Sequence, residues 1–253
     1  TTGIFNTIIG ALAGDALTDA DFNVAVGKSA LTTETLGSRS VAIGTSALSN
    51  QNNTTATDVY NTAVGFEAGG SVTTAVRNTL VGGLSGDALT TGARNTTLGY
   101  ATLSSDTLGS RSVAVGYEAL VAQNFTTATN AYNVGVGYQA GVSITTGQHN
   151  TLVGGLAGDS LTDADFNVAI GFNSLVSDTL GSRSIAIGPG ALSAQNFTTA
   201  TNAYNVAIGY EAGDQITTGT ENTFIGALCG DGTDDGRENT AVGSHALSAN
   251  CGN

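Results

Sequence analysis

One five-residue phrase, Asn or Ser, two variable residues, an aliphatic and then Gly, recurs fourteen times along this chain. It begins at Asn6, Asn23, Ser40, Asn61, Asn78, Asn95, Ser112, Asn133, Asn150, Asn167, Ser184, Asn205, Asn222 and Asn239. Three steps of 17 residues alternate with one of 21, so equivalent positions return every 72 residues. A spacing this regular predicts a single repeat solenoid over residues 1–253, with 72-residue super-repeats starting near 6, 78, 150 and 222. In such a chain each coil packs only on its neighbours, and no compact core is expected.

Counting from the Asn or Ser as position 0, position +3 is always Ile, Val or Leu and position +4 always Gly. Position +7 is always small and position +8 always Leu or Gly. The Val, Ile and Thr content of positions 0 to +3 predicts a short strand. The Gly predicts a tight corner, and a second short strand is expected through +7 and +8. The result is an all-β parallel β-roll or β-helix of about fourteen coils, spaced about 4.8 Å apart.

Strand side chains alternate faces, so +1 and +3 point one way and +2 the other. Position +2 is Ile8, Leu80, Leu152 and Phe224 at the 72-residue equivalents and mostly Ala elsewhere. Both faces are therefore apolar or small. One fills the coil, and the other needs a cover that a thin roll does not supply. A symmetric oligomer of the same chain would supply it.

Composition fits thin layers. Gly accounts for 36 residues, Pro for 1, and Met and Trp are absent. A net charge of −13 argues against nucleic-acid phosphates and anionic membranes as partners. No apolar run approaches the length of a membrane span, and no signal peptide opens the chain. Without an initiator Met, the sequence reads as a processed product or a piece of a longer chain. Two cysteines, Cys229 and Cys251, are too few for a disulfide framework, and Cys229 reads as a small packing residue. No Walker loop, nucleophile elbow or Ser/His/Asp grouping is present, no cofactor is implied, and the chain reads as no enzyme.

The phrases Ser40-Val41-Ala42-Ile43-Gly44, Asn167-Val168-Ala169-Ile170-Gly171 and Ser184-Ile185-Ala186-Ile187-Gly188 resemble the repeat of YadA-like trimeric autotransporter adhesin heads. Asn61-Thr62-Ala63-Val64-Gly65 and Asn205-Val206-Ala207-Ile208-Gly209 resemble a related form in phage tail fibres. The resemblance covers essentially the whole chain. It implies a left-handed roll and sets the number of copies at three. The coils are longer than the adhesin head's, and no stalk or membrane-anchor segment is present. The resemblance therefore leans towards a phage tail fibre, with a bacterial adhesin head as the alternative. It places the chain on a virion or cell surface, with a host glycan or protein receptor as partner.

Three features invite a role. The long coils carry Gln51 to Tyr60, Gln123 to Tyr132 and Gln195 to Tyr204, near-copies rich in Asn, Gln and Thr. Insertions in solenoids often make the binding face, so Tyr60, Phe125, Tyr132, Phe197 and Tyr204 are candidate sugar-stacking residues. The plainer reading folds these rings over their own coil or a neighbouring subunit. Glu34, Asp106 and Asp178 each precede an Arg by five residues, which predicts ion pairs with Arg39, Arg111 and Arg183. Asp15, Asp19 and Asp21, repeated at Asp159, Asp163 and Asp165, are weak Ca²⁺ candidates, because their spacing does not match a calcium loop and one copy lacks the set. A polysaccharide-cleaving β-helix would need acids aligned in a groove, and an ice-binding solenoid a regular Thr row. Neither pattern occurs.

Overall fold

A computed structural model describes residues 2–232 and 234–248. Among them there is no helix. The chain is an all-β parallel solenoid whose coils follow the repeat. It divides into two units, residues 1–131 and 132–253.

In the first unit the strands are Thr7–Ile9, Val24–Val26, Val41–Ile43, Thr62–Val64, Thr79–Val81, Thr96–Leu98 and Val113–Val115. In the second they are Val134–Val136, Thr151–Val153, Val168–Ile170, Ile185–Ile187, Val206–Ile208, Thr223–Ile225 and Thr240–Val242. Every strand occupies positions +1 to +3 and pairs in parallel with no offset, as in Val24 with Val41, Ala25 with Ala42 and Val26 with Ile43. Each repeat position is therefore a straight column of side chains.

The expected second strand at +7 and +8 is absent, and turns occupy that stretch. The cause is left-handed backbone at +6 and +8, as at Ser29 (φ 57°) and Leu31 (φ 53°). A non-Gly residue held there costs about 1 kcal/mol or more. It also reverses the direction of the N–H: Ser29 donates back to Ala11 O at 2.9 Å, whereas Leu31 donates forward to Ala47 O at 3.0 Å. The turn is thus wired to both neighbouring coils, which offsets its strain. Second strands do form, but just before position 0 of six coils, in three pairs. Gly37–Ser38 pairs with Thr57–Asp58, Gly109–Ser110 with Thr129–Asn130, and Gly181–Ser182 with Thr201–Asn202.

Position +2 faces the interior. Ala25, Ala42, Leu80, Thr97, Leu152 and Phe224 are fully buried. Volume is traded within a coil. Where +2 is large, +8 is Gly, and a Cβ at Gly158 would lie 2.8 Å from Leu152 Cδ2. Where +2 is Ala, a Leu fills from +8 in most coils, as with buried Leu31, Leu48, Leu120 and Leu192; in the Ala63 and Ala207 coils +8 is Gly69 and Gly213, and leucines of the preceding coil, Leu48 and Leu192, reach in beside them. Such exchange of large and small residues keeps a thin interior at close-packed density.

Position 0 supplies the coil's polar spine. Asn23 Oδ1 accepts from the backbone N–H of Ser40 at 2.8 Å, and its Nδ2 donates to Gly37 O at 3.0 Å. Asn61, Asn78, Asn150, Asn167 and Asn205 repeat both bonds. The side chain ties the start of each coil to the next and satisfies backbone groups that would otherwise be buried unpaired.

The Gly at +4 has a steric cause as well as a conformational one. Gly171 has φ 134°, and a Cβ there would lie 2.6 Å from the backbone of Gly188 in the next coil. Gly171→Ala should therefore lower the denaturant midpoint by the equivalent of about 2 kcal/mol or more. Gly155→Ala is the control, because a Cβ there meets only the Phe172 ring at 3.5 Å. Equal midpoints for the two variants would contradict this account of the corner.

Candidate functional site

The interior holds a buried polar layer at each long coil. Glu34 Oε1 accepts from the backbone N–H groups of Thr35, Gly37 and Asn53 at 2.8–2.9 Å. Its Oε2 accepts from Gln51 Nε2 at 2.8 Å and Asn53 Nδ2 at 2.9 Å. Gln51 also donates to Ser40 Oγ and accepts from Asn61 Nδ2 at 2.8 Å. Asp106 with Gln123 (2.6 Å) and Asp178 with Gln195 (2.5 Å) repeat the arrangement. These carboxylates thus face donors on both oxygens and form no pair with an Arg.

The expected acid–Arg pairs are therefore corrected. Glu34, Asp106 and Asp178 point inward, whereas the residue before position 0 has left-handed backbone, as at Arg39 (φ 66°), and points outward. Arg39 Nε instead binds Asp58 at 2.9 Å, Arg111 binds Asn130 Oδ1 at 2.9 Å, and Arg183 binds Asn202 Oδ1 at 3.1 Å. Both members of the Arg39–Asp58 pair are exposed, so it contributes little to stability. The Gln at +11 of each long coil was the missed signal. It occurs only where position 0 is Ser, and it replaces the Asn that Ser cannot match in reach.

Burial raises the Asp106 and Asp178 carboxyls above their ordinary value, although the bonds from Gln123 and Gln195 oppose the rise. A group raised on folding holds its proton more tightly in the folded state. Its contribution to stability is full below the unfolded carboxylate value and is lost as pH rises through the raised folded value.

The outward face of the strands carries columns +1 and +3. Every described +3 side chain is aliphatic and partly or largely exposed: Ile43 and Ile170 are each 37% exposed, Leu98 51% and Val242 68%. Exposed rings border this face. At +5 stand Phe66, Tyr100, Tyr117, Tyr138, Phe172 and Tyr210. Tyr100 and Tyr117 stack at 5.7 Å. At −1, Phe5 and Phe22 stack at 5.0 Å and Arg39 lies 4.8 Å over Phe22. In the second unit, Tyr132, His149 and Phe166 stack at 5.4 and 4.7 Å, and Arg183 lies 4.7 Å over Phe166. Residue type varies down this column, so composition alone gave no sign of it. Its constant features are the left-handed backbone and the outward direction.

Among the candidate stacking residues, Tyr60, Tyr132 and Tyr204 are exposed members of the −1 column. Phe125 and Phe197 turn inward, only 4% and 6% exposed, and their backbone N–H groups serve the buried Asp106 and Asp178. The structure therefore separates the five rings rather than gathering them.

The Asp candidates for Ca²⁺ act as turn staples. Asp21 accepts from the Ile4 N–H at 2.7 Å and Asp165 from the Gln148 N–H at 2.7 Å. Asp163 accepts from the Thr146 hydroxyl at 2.6 Å, and Asp19 accepts from that of Thr2. Burial raises the Asp159 carboxyl. Asp15 is exposed in its turn. Among the described residues no three acidic, His or Cys side chains come together as a metal set. A polar cleft between Ser49, Glu67, Ser71 and Asp87 holds a carboxyl, Asp87, that is raised by burial and by Glu67. Cys229 is buried, its thiol raised by burial, as its small-residue column requires. Cys251 lies outside the described residues.

No protein-family model, curated protein or solved structure matches the chain. No helix among the described residues is long and apolar enough to cross a membrane.

The polar layer makes a testable prediction. Gln123→Leu leaves the Asp106 carboxylate short of its side-chain donor and should cost about 3 kcal/mol at neutral pH. The loss should shrink under acid conditions, where the carboxyl takes up a proton. Adding Asp106→Leu should recover part of it, because Leu89 and Ile144 already occupy this column at other levels. Denaturant midpoints of the single and double variants measure the coupling. Simple additivity would contradict a bonded pair.

Proposed function

We propose that this chain is a segment of a structural, adhesive fibre, assembled as a homotrimer through the outward face of its strands. The observation that carries the reading is the uninterrupted aliphatic column at +3 in each unit, from Ile9 to Val115 and from Val136 to Val242. Monomeric surfaces rarely leave so much contiguous apolar area in water. A symmetric arrangement buries the same face on every copy. The number three and the left-handed wind come from the resemblance to adhesin heads and tail fibres, not from the column itself. In-register backbone bonding gives the rigidity a projecting fibre needs. Within this class a phage tail-fibre segment that takes part in host attachment is the preferred assignment. The partner would be a host-surface glycan or protein receptor, met outside the cell.

Sedimentation equilibrium tests the assembly. The account expects three times the chain mass at micromolar concentration, and a stable monomer there would overturn it. Ile43→Glu with Ile170→Glu should dissociate the assembly into folded chains, since both side chains point away from the interior. Unfolding without a dissociated, folded intermediate would also count against it.

A further inference from the structure

Five of the seven cationic side chains, Arg39, Arg77, Arg94, Arg111 and Arg183, stand in the −1 column. Arg77, Arg94 and Arg111 fall on three successive coils of the first unit. The coils are paired without offset, so the three guanidinium groups form a row with a rise of about 5 Å per step. All three are exposed. Arg77 and Arg94 have no ion pair, hydrogen bond or ring contact from their side chains to any described residue. Like charges stacked on successive coils repel one another. A chain with 20 acidic residues has pairing partners to offer. Arg39 shows the paired solution one super-repeat earlier, with Asp58 at 2.9 Å. At the matching positions of that super-repeat the column holds stacked Phe5 and Phe22 instead of Arg. The charged row is thus a local departure from the fold's own pattern.

We infer that the Arg77–Arg94–Arg111 row binds an acidic polysaccharide lying along the coil axis. A guanidinium matches a carboxylate with two parallel N–H donors. A uronate polymer carries one carboxylate per sugar, a repeat on the order of the coil spacing of about 5 Å. Neighbouring groups suit a sugar. Thr79 and Thr96 present exposed hydroxyls at +1 of the same coils, and the exposed Tyr60 ring continues the column by one coil. The net charge of −13 disfavours a densely charged nucleic acid more than a sparsely charged glycan. The inference gives the adhesive reading its ligand class and rests on it only for the surface origin of the polymer.

Binding of the full chain to polygalacturonate, measured calorimetrically at low ionic strength, tests it. Neutral dextran and double-stranded DNA serve as comparators, and Arg77→Gln with Arg94→Gln as the variant. Lys28→Gln, an exposed cation on the opposite border of the face, is the control. The expected result is salt-sensitive binding of polygalacturonate alone, weakened tenfold or more by the double variant and unchanged by the control. No binding by the parent chain, equal binding by the double variant, or preference for DNA would each overturn the inference. So would a double variant that changes sedimentation while the parent ignores the polymer, since the row would then be a seam between subunits. A monomer that binds the polymer through these arginines would overturn the fibre reading and leave this inference standing.

Discussion

The zero offset between successive coils is the constraint on which the rest of the structure depends. Each coil is thin, and apart from the tight i→i−3 turn bonds its backbone N–H groups find their acceptors in the coil above or below. One residue of slippage would exchange the inward Ala column for the outward Val and Ile column. The Asn at position 0 prevents this. Its amide bonds the end of its own coil and the start of the next at once, so only one alignment satisfies both. The Gly at +4 acts from the other end of the strand, where a Cβ would strike the following coil.

The long coils show what happens when that device is interrupted. Ser40, Ser112 and Ser184 are too short to repeat the Asn bonds, and the Gln eleven residues on fills the gap. The Gln then needs an acceptor, which the Glu or Asp of the preceding coil supplies. A buried carboxylate surrounded only by neutral donors is a weak source of stability. Its value here lies in alignment, because the set Ser, Gln and acid fits together only when a long coil follows a short one.

Much of this was legible in the sequence. The period fixed the coil, its length and the straight columns, because a repeat on this scale leaves few other ways to bury an apolar face. Which face turns inward was not legible. Ala and Val columns are both apolar, and only the width of the coil decides that Ala and an occasional Leu go inside. The second strand was misplaced because left-handed backbone at Leu31 or Ser29 has no signature in residue type. The acid–Arg pairs failed for a related reason. Five residues of separation suggested contact, but the chain turns between them and sends Glu34 inward and Arg39 outward. The outward columns at −1 and +5 were hidden by their variety, since stacking accepts Phe, Tyr, His or Arg alike.

What remains outside the coil is an aliphatic strip bordered by rings and charges, and the account gives that strip to sister copies of the chain. The most direct test is the reactivity of a thiol placed on it, in a chain otherwise freed of cysteine by Cys229→Ala and Cys251→Ser. Ile170→Cys sits within the strip of the second unit, and Thr127→Cys on an exposed loop reports an open site. The account predicts that the loop thiol reacts with a soluble maleimide at the rate of an unhindered cysteine, while the Ile170→Cys thiol is protected until the assembly is dissociated. Equal rates for the two thiols in the native protein would contradict it.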